Sequence, residues 1–260
     1  MKNIACSICR HSPCAEGIRT ESGTVYYRCP SCGVLFQYLP AFSEKAYDAE
    51  TYYSSEEKGY LEHEGNYRRI FRDLLSLIRR FKPAGKLLEV GCGIGTLLEE
   101  AQKCGWQTEG ADLSSWAASF CREKKGLEVF GGKLKDSSFP GNSFDVLLYY
   151  HTLEHVPDPL SELSEAAAFL KEDGYLAVGV PNWASFQARI SKGKWWGLVP
   201  EHLFQFSPKS LANLLRLAGF GSVKILGTSY FGRSGLERFS AGFWDSLLLG
   251  REIFALARRK

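Results

Sequence analysis

The sequence predicts an α/β protein in which a doubly wound, mostly parallel sheet follows a small N-terminal domain. Three observations support this fold class. Apolar runs typical of strands alternate with amphipathic helical segments from residue 86 onward, and such alternation builds a parallel sheet with helices on both faces. The stretch GCGIG at 91–95 is typical of a glycine turn between a strand and a helix. Two C-x2-C pairs lie within the first 32 residues, a length that buries little core by itself.

The composition is that of a globular protein. The chain has 260 residues, enough for one large domain or for a medium domain and a small one. It is 45% hydrophobic and 23% charged, which excludes a disordered chain, and a net charge of +3 is too small to indicate nucleic acid by itself. No run of 18 apolar residues occurs, and the N-terminal MKNIACSICR has no apolar signal core. We therefore expect a cytoplasmic chain without a membrane span.

Four of the eight cysteines form two pairs. Cys6 and Cys9 form one C-x2-C pair, and Cys29 and Cys32 form the second after 19 intervening residues. This spacing predicts a structural zinc ion held tetrahedrally by four thiolates, in a zinc ribbon that spans residues 1–40. Four buried thiols without metal are the alternative. With four cysteine ligands, no open coordination position is expected.

The rest of the ribbon fits this interpretation. The stretch TESGTVYYRC at 20–29 predicts a hairpin with its turn near Ser22 and Gly23. A metal would compensate for the small core of such a domain. The remaining cysteines have no paired partner, and we expect them not to bind metal: Cys14, Cys92, Cys104 and Cys121.

Residues 41–82 are predicted to be a helical linker that covers the ligand of the following domain. The part AETYYSSEEKGY is polar and aromatic, whereas NYRRIFRDLLSLIRRF at 66–81 has helical periodicity. Its apolar side carries Ile70, Leu74, Leu77 and Ile78. Pro83 ends this helix, and Gly85 begins the turn into the first strand of the sheet.

The third region, residues 83–260, contains the alternating strands and helices. Strands are predicted at 86–90, 108–113, 127–132, 144–150 and 174–180. Helices are predicted between them, for example at 96–105 and 161–174. The sequence contains no internal repeat and no low-complexity stretch.

The ligand of the glycine turn can be narrowed by its charge. G-x-G-x-G alone is weak support for any ligand, but Glu89 lies two residues before it. A carboxylate there would repel a pyrophosphate and would attract a cation. The second strand ends at Asp112, where a carboxylate can accept both hydroxyls of a ribose. A ligand with a ribose and a positive charge near the turn is S-adenosylmethionine.

The sequence resembles class I S-adenosylmethionine-dependent methyltransferases, and it is similar to the small-molecule group that includes the ubiquinone-biosynthesis O-methyltransferases. The resemblance rests on LLEVGCGIGTLLEEA, GADLS, FPGNSFDVLLYYHTLEHVPDP, LKEDGYLAVGVPN and PEHLFQFSPKSLANLLRLAGF, in the order of the family, and it extends to the closing GREIFALARRK. It covers about residues 45–260. It implies a seven-stranded sheet with a lid insert at 182–206.

The resemblance also implies which residues bind the cofactor. Glu89 would face the methionine amino end, Asp112 the ribose, and the residues after Gly132 the adenine. Family members often have an acidic residue in the adenine loop, where this chain has Lys133. Here we expect Leu134 to contact the adenine instead, by packing on the ring. The full implied set is Glu89, Gly91, Cys92, Gly93, Gly95, Asp112, Leu113, Leu134 and Tyr150.

Catalytic candidates follow the fourth predicted strand, at the carboxyl edge where ligands bind in such sheets. His155 is the first candidate for a general base, because an imidazole titrates near neutral pH. His202, next to the predicted lid helix, is the second, and Glu154 could orient either histidine or the substrate. Turn-capping roles for these residues are the alternative. A metal at His151, Glu154 and His155 is a further alternative.

Two aromatic segments remain open to two interpretations each. Residues 182–200 hold three tryptophans and three basic residues, which suits a wall for a bulky or anionic substrate such as a nucleotide sugar or a phospholipid-linked glycan. They would equally suit a solvated helix whose tryptophans cover the core. Residues 231–249 are aromatic and amphipathic, and could form an interface or contact a membrane surface weakly.

Three functions are therefore considered. The first is methyl transfer from S-adenosylmethionine to a small molecule, such as a sugar or a secondary-metabolite intermediate, because the four-cysteine module is similar to that of sugar-tailoring methyltransferases. The second is methylation of a ribosomal RNA base, because a zinc ribbon also accompanies this fold there; the mildly basic ribbon disfavours it. The third is a cofactor-binding scaffold without catalysis, which the intact motifs disfavour. The sequence indicates no oligomeric state.

Overall fold

The computed structural model describes residues 4–38, 64–228 and 248–260. These residues form two sheets, one of four strands and one of seven. The seven-stranded sheet confirms the predicted α/β fold class. Residues 41–63 of the linker predicted at 41–82, and most of the aromatic segment at 231–249, lie outside the described residues. Within the described residues, no helix is both long enough and apolar enough to cross a bilayer.

The elements follow one another along the chain as the alternation predicts. The strands are β1 (Ala15–Arg19), β2 (Val25–Arg28), β3 (Leu35–Gln37), β4 (Lys86–Val90), β5 (Gln107–Asp112), β6 (Glu128–Gly131), β7 (Phe144–Tyr150), β8 (Leu170–Pro181), β9 (Phe204–Gln205), β10 (Gly221–Thr228) and β11 (Glu252–Arg258). The helices are α1 (Glu64–Ile78), α2 (Thr96–Lys103), α3 (Ser115–Lys125), α4 (Pro159–Ala166), α5 (Phe186–Ser191) and α6 (Pro208–Leu217). Short 3-10 turns include Leu134–Asp136 and Leu153–His155.

The large sheet has the order β10-β11-β8-β7-β4-β5-β6. Strands β4 to β8 are parallel, and β10 and β11 pair antiparallel at one end. In this sheet the first strand along the chain, β4, is central. Strands β5 and β6 follow on one side of β4, and β7 then lies on its other side. Ligands bind where the winding direction of such a sheet reverses, at the carboxyl ends of the strands on either side. Here that place is the crevice at the carboxyl ends of the adjacent strands β4 and β7.

One predicted helix is wrong in its second half. We predicted a helix over 161–174, but α4 ends at Ala166 and β8 begins at Leu170. Leu170 pairs with Phe144 of β7, and its side chain is fully buried. The following Lys171 binds the carboxylate of Asp145 at 2.7 Å. Strand pairing and burial therefore override the helical propensity of this charged stretch.

The core has a part on each face of the large sheet. Helix α1 packs on one face through Ile70, Leu74 and Ile78, as predicted, whereas Leu77 is only partly buried. The other face carries α4 and α6, and its apolar cluster continues into the ribbon through Val34 and Phe36. The ribbon and the large sheet therefore share one apolar core on this side.

The ribbon sheet has the order β1-β2-β3-β9. Strands β1 and β2 form the predicted hairpin, with Gly23 in its turn at φ 89°. Strand β9 comes from the predicted lid insert at 182–206 and pairs antiparallel with β3, with Phe36 opposite Phe204. The lid insert therefore supplies an edge strand to the N-terminal sheet, which the domain boundary predicted at residue 40 did not anticipate.

Candidate active site and metal cluster

The four paired cysteines meet in the ribbon. All four sulfur atoms lie within 4.8 Å of one another, with Sγ–Sγ distances of 3.7 Å between Cys6 and Cys32 and 3.5 Å between Cys9 and Cys29. The backbone amide of Cys32 also points at the sulfur of Cys29, at 3.4 Å. Four converging thiols with an amide aimed at a sulfur are the donor set that a structural zinc ion requires.

The glycine turn between β4 and α2 lies at the switch point of the large sheet. Gly91, Gly93 and Gly95 have φ angles of 73°, 51° and 73°, which side chains with a Cβ adopt rarely. A Cβ on Gly91 would lie 2.3 Å from the hydroxyl oxygen of Thr152. The turn therefore needs glycine both for its backbone conformation and for its close contact with the neighbouring loop.

Glu89 provides a buried acid beneath this turn. It is 4% exposed, and its Oε2 has no hydrogen-bond partner in the described part of the chain. Burial raises the pKa of Glu89 well above its usual value, and the nearby Cys121 and Asp112 add to the shift. A buried carboxylate oxygen without a partner is costly unless a ligand supplies one. The site thus fits the cationic methionine end of S-adenosylmethionine.

Asp112, at the end of β5, is tied to the same turn. Its Oδ2 accepts from the amide of Gly93 and its Oδ1 from the amide of Ser114, both at 2.8 Å. Each carboxylate oxygen can accept a second hydrogen bond, so this geometry is compatible with ribose hydroxyls as further donors. Asp112 would therefore shape the turn and bind the ribose together.

The predicted adenine region needs one correction. Leu134 was expected to pack on the adenine ring, but it is 3% exposed and packs in the core. Leu113, also predicted, is 57% exposed and follows Asp112 directly. Leu113 therefore offers the apolar surface for a planar ring, and Leu134 supports the loop from beneath.

Glu154, His155 and His202 converge although 47 residues separate the two histidines. One ligand atom from each lies within 4.8 Å of the others, and the two imidazole rings are 4.7 Å apart at 81°. Glu154 is 1% exposed, and neither of its carboxylate oxygens has a hydrogen-bond partner among the described residues. The structure thus brings together the three predicted catalytic candidates, whose roles remain predictions.

Backbone carbonyls fix both imidazoles. Nδ1 of His155 lies 3.0 Å from the carbonyl oxygen of Glu201, and Nδ1 of His202 lies 2.8 Å from that of Gly197. Because a carbonyl only accepts, each Nδ1 carries the hydrogen and each Nε2 carries the lone pair. Burial lowers the pKa of His155 to about 4, so this imidazole is neutral at pH 7.

His151 has a different role from the one that we considered. Its Nδ1 lies 3.4 Å from Oε1 of Glu154, and its Nε2 lies 3.4 Å from Oε1 of Glu252. The other carboxylate oxygen of Glu252 accepts a hydrogen bond from the hydroxyl of Tyr150 at 3.1 Å. Burial alone would lower the pKa of His151, but the two carboxylates outweigh it and raise this pKa to about 10. His151 is therefore an imidazolium that holds two buried carboxylates, and not a metal ligand in this arrangement.

Sequence reasoning missed several groups of this site. Glu252 lies on β11, 101 residues from His151, and its signal in the sequence was an acidic residue at the start of the apolar run EIFALA. The carbonyls of Gly197 and Glu201 left no signal, because every residue has one. The buried Gln205, whose Nε2 donates to the same Gly197 carbonyl at 2.6 Å, was also missed.

The fold and the site together define a class. A mostly parallel seven-stranded sheet with a glycine turn and two acids at the carboxyl ends of β4 and β5 is a Rossmann-like nucleoside-binding protein. Residues 61–225 match a family described as "Methyltransferase domain". The chain belongs to this family, within the class I S-adenosylmethionine-dependent methyltransferases.

Individual relatives are more distant. The chain is 37% identical over 101 residues to the ubiquinone biosynthesis O-methyltransferase of Actinobacillus pleuropneumoniae serotype 7, which covers 35% of this chain and 43% of that protein. The protein of the same description from Cereibacter sphaeroides is 31% identical over 152 residues, or 53% of this chain and 61% of that protein. The chain thus spans about half the length of the curated relatives it matches.

A solved structure supports the fold alone. It is that of a S-adenosylmethionine-dependent methyltransferase from Thermotoga maritima, described as a possible histamine N-methyltransferase. It superposes with a TM-score of 0.61 at 24% identity and covers 81% of this chain and all of that chain. Identity at this level does not carry a substrate from one protein to the other.

Proposed function

We propose that this protein transfers a methyl group from S-adenosylmethionine to a hydroxyl oxygen of a small-molecule acceptor. The observation that carries the proposal is the pair of adjacent imidazoles, the half-buried His155 and the buried His202, beside Glu154 at the carboxyl edge of the sheet. A hydroxyl must lose its proton as the methyl group arrives, whereas the free base of an amine needs no base. An imidazole with an available Nε2 lone pair at this edge therefore favours an oxygen acceptor, although its lowered pKa makes His155 a weaker base than a free imidazole.

Thr152 connects this pair to the cofactor side of the site. Its hydroxyl donates to the carbonyl of Val90 at 3.1 Å, and its own carbonyl accepts from the amide of His155 at 3.0 Å. The turn that carries His155 is therefore packed directly on the glycine turn at Gly91. This contact supports placing acceptor and cofactor side by side.

The chain's own residues would divide the work as follows. When bound, S-adenosylmethionine supplies a methyl group that its positive sulfur has already activated. Glu89 binds the cationic end and Asp112 the ribose, which aligns the methyl group; such positioning can supply several kcal/mol. Nε2 of His155 accepts the hydroxyl proton, with His202 as the second candidate. The carboxylate of Glu154 stabilises the imidazolium that forms.

The same three side chains support a second mechanism for the same reaction. One ring nitrogen from each histidine and a carboxylate oxygen lie within 4.8 Å of one another, which matches the donor set of a divalent cation. Metal-binding histidines commonly donate their other ring N–H to a carbonyl, and Nδ1 of both histidines contacts a carbonyl here. A cation held by Glu154, His155 and His202 would lower the pKa of an acceptor hydroxyl. The proton would then leave without a protein base.

For the acceptor we propose a bulky, anionic molecule such as a phosphorylated sugar. A groove of about 850 Å³ between the ribbon and the lid insert is lined by Arg28, Trp183, Arg189 and Lys209 and by one acid, Glu16, among others. Among the described residues, its lining includes none of the three catalytic candidates, so it would bind a part of the acceptor remote from the methylated hydroxyl. The guanidinium of Arg28 lies 5.5 Å from the centre of the Trp183 ring. Within the described parts of the chain, none of these three cations forms an ion pair, so an anionic group could bind them.

For the cysteine cluster we propose one structural zinc ion on Cys6, Cys9, Cys29 and Cys32. The hydrogen bond between Cys6 and Cys32 lowers the pKa of Cys6 and raises that of Cys32, and burial raises the pKa of Cys9, so a bound cation would be needed to stabilise all four thiolates. Elemental analysis of the purified protein should find one zinc per chain. A protein that folds normally with no metal, and binds none when zinc is added, would contradict this.

One experiment tests the methyltransferase proposal. The protein is incubated with isotope-labelled S-adenosylmethionine and a small-molecule cell extract, and mass spectrometry identifies labelled products. A labelled ether on a hydroxylated, anionic product supports the proposal, whereas a labelled amine contradicts the oxygen acceptor. Labelled RNA in a parallel reaction would favour the RNA alternative. No labelled product with tight S-adenosylhomocysteine binding would favour a non-catalytic scaffold.

A second arm separates the two mechanisms. A chelator such as EDTA is added at a concentration that leaves the ribbon zinc in place, as checked by elemental analysis. Activity that survives supports His155 as the base. Activity that is lost and returns with a divalent cation supports the cation mechanism.

A further inference from the structure

We propose that the N-terminal ribbon positions the two imidazoles of the active site through Tyr26 and Gln37, so that metal at the cysteine cluster controls the acceptor side of the site and not cofactor binding. The proposal rests on the proposed function only where it gives the two imidazoles a role in methyl transfer. The mechanical link itself is carried by contacts between the ribbon and residues 197–205.

The first step is the set of hydrogen bonds between the ribbon and the loop formed by residues 197–205. Tyr26 is fully buried, and its hydroxyl lies 2.9 Å from the carbonyl oxygens of both Val199 and His202. The side-chain amide of Gln37 donates to the carbonyl of Pro200 at 2.8 Å and to that of His202 at 3.0 Å. Two ribbon side chains therefore hold three carbonyls of the loop, and that of His202 is contacted by both.

The second step leads from the loop to the imidazoles. The carbonyl of Gly197 fixes Nδ1 of His202, and the carbonyl of Glu201 fixes Nδ1 of His155. Both carbonyls belong to the segment that Tyr26 and Gln37 hold. A shift of this segment would therefore move His202 directly and would remove the hydrogen bond that orients His155.

The third step leads from the cysteines to Tyr26 and Gln37. These two residues are direct partners across the β2–β3 pair. Cys29 follows β2, and Cys32 precedes β3, so the second cysteine pair closes the turn of this hairpin. The ribbon sheet has only four short strands, and a domain of this size buries little core by itself. Metal on Cys29 and Cys32 would hold the hairpin, and with it the two side chains that grip the loop.

The cofactor side depends on the ribbon less directly, through the apolar core that Leu88 of β4 shares with Val34 and Phe36. Strands β4 and β5 carry Glu89 and Asp112, and they pair only with strands of the large sheet. The ribbon sheet continues into β9 and, among the described strands, into no strand of the large sheet. Loosening the ribbon should thus disturb the histidines and leave cofactor affinity unchanged.

The test uses the full-length protein and needs no identified acceptor. Tyr26→Phe removes one hydroxyl at constant shape, and Gln37→Ala removes the amide. Tyr27→Phe is the matched control, because Tyr27 is the next residue on β2 and contacts the rings of Phe36 and Tyr38 instead. Hydrogen exchange of residues 197–205, the labelling rate of the two histidines by diethyl pyrocarbonate, zinc content and S-adenosylhomocysteine affinity are measured for each protein.

We expect the double variant Tyr26→Phe/Gln37→Ala to increase hydrogen exchange in 197–205 and histidine labelling about tenfold or more. Its zinc content and its S-adenosylhomocysteine affinity should stay within twofold of the wild type, as should every readout of Tyr27→Phe. Removal of zinc by a strong chelator should reproduce the opening of 197–205 in the wild-type protein. A merely structural loss would instead lower cofactor affinity in parallel.

Unchanged exchange and labelling in the double variant, with zinc retained, would overturn the proposal. Equal effects in Tyr27→Phe would overturn it as well. Failure of the proposed function gives a different result: the loop still opens in the double variant, but His155→Ala and His202→Ala keep full methyl transfer.

Discussion

The cofactor side and the acceptor side of this site are built in opposite ways. The main part of the cofactor side is one continuous stretch, residues 86–114, held by short-range contacts such as the hydrogen bond that the amide of Gly93 donates to the carboxylate of Asp112. The acceptor side joins four distant segments, around Tyr26, His155, His202 and Glu252. A local structure keeps its geometry when distant parts change. The acceptor side can therefore be altered, by mutation or by loss of metal, while cofactor binding persists.

The largest expected effect comes from removing the ribbon metal. Cys29→Ser should abolish zinc binding and unfold the ribbon, because structural zinc supplies about 10 to 16 kcal/mol in small zinc domains. The large sheet should keep a separate melting transition and its affinity for S-adenosylhomocysteine. Calorimetric scans with zinc analysis measure both. Cys104→Ser, outside the cysteine cluster, is the control. A single transition that loses cofactor binding as well would refute the separation of the two sides.

Replacement of the imidazoles should have the next largest effect. His155→Ala and His202→Ala should each lower methyl transfer to a hydroxyl about 10² to 10⁴-fold if that histidine acts as general base. Affinity for S-adenosylhomocysteine, measured by titration calorimetry, should stay within twofold. His11→Ala in the ribbon is the control, because His11 is outside both clusters. Normal turnover in both variants, with a confirmed hydroxyl acceptor, would leave the histidines as loop-shaping residues.

On the cofactor side, Asp112→Ala should weaken S-adenosylmethionine binding by about 1 to 3 kcal/mol, because it removes a charged acceptor of two ribose hydroxyls. It should leave the histidine labelling rate unchanged. Glu123→Gln, at an exposed position of helix α3 outside the predicted cofactor residues, serves as the control in the same calorimetric titration. Tighter binding of NAD than of S-adenosylhomocysteine by the wild type would contradict the cofactor assignment altogether.

The smallest expected effect concerns acid stability outside the site. Lys125 binds the carboxylates of Glu64 at 2.9 Å and Glu99 at 2.8 Å, and the pKa of each acid is lowered because these contacts outweigh burial. An acid with a lowered pKa stabilises the fold above its unfolded pKa, and this contribution is lost as pH falls through the folded value. Lys125→Met should therefore flatten the decline of Tm below about pH 4.5.

The size of this effect should be about 1 kcal/mol or less, because the pairs are partly solvated. Lys124→Met, at an exposed position of the same helix, should leave the decline unchanged. Thermal melts from pH 7 to pH 3 compare the two. An equally steep decline in the Lys125 variant would show that other acids control it.

The cofactor side could be predicted from the sequence, whereas most contacts of the acceptor side could not. Strands β4 and β7 have the bounds predicted from their apolar runs, and Glu89 and Asp112 stand at the predicted edge. These features depend on neighbours along the chain, which periodicity reports. Strand β9 has two residues, too few for any periodicity, and it pairs with residues about 170 positions away. Glu252 and the carbonyls that orient the histidines depend on the same long-range packing.

Leu134 and the second half of the predicted helix at 161–174 failed for a related reason. The sequence predicted Leu134 on the adenine ring, but only the folded structure shows that its side chain packs in the core while Leu113 stays exposed. Leu170 was likewise predicted in a helix, but in the structure it pairs with Phe144 of β7. Side-chain direction and strand pairing are decided by partners that a single sequence does not name.

The pairing of β3 with β9 has a consequence for synthesis. Phe36 leaves the ribosome about 170 residues before Phe204, so at 5 to 20 residues per second the edge of β3 waits roughly 10 to 30 seconds for its partner. An unpaired strand edge is a template for other chains. The nascent ribbon is therefore most exposed to misassembly before the lid insert emerges, and a shortened chain that ends before residue 204 would carry that open edge permanently.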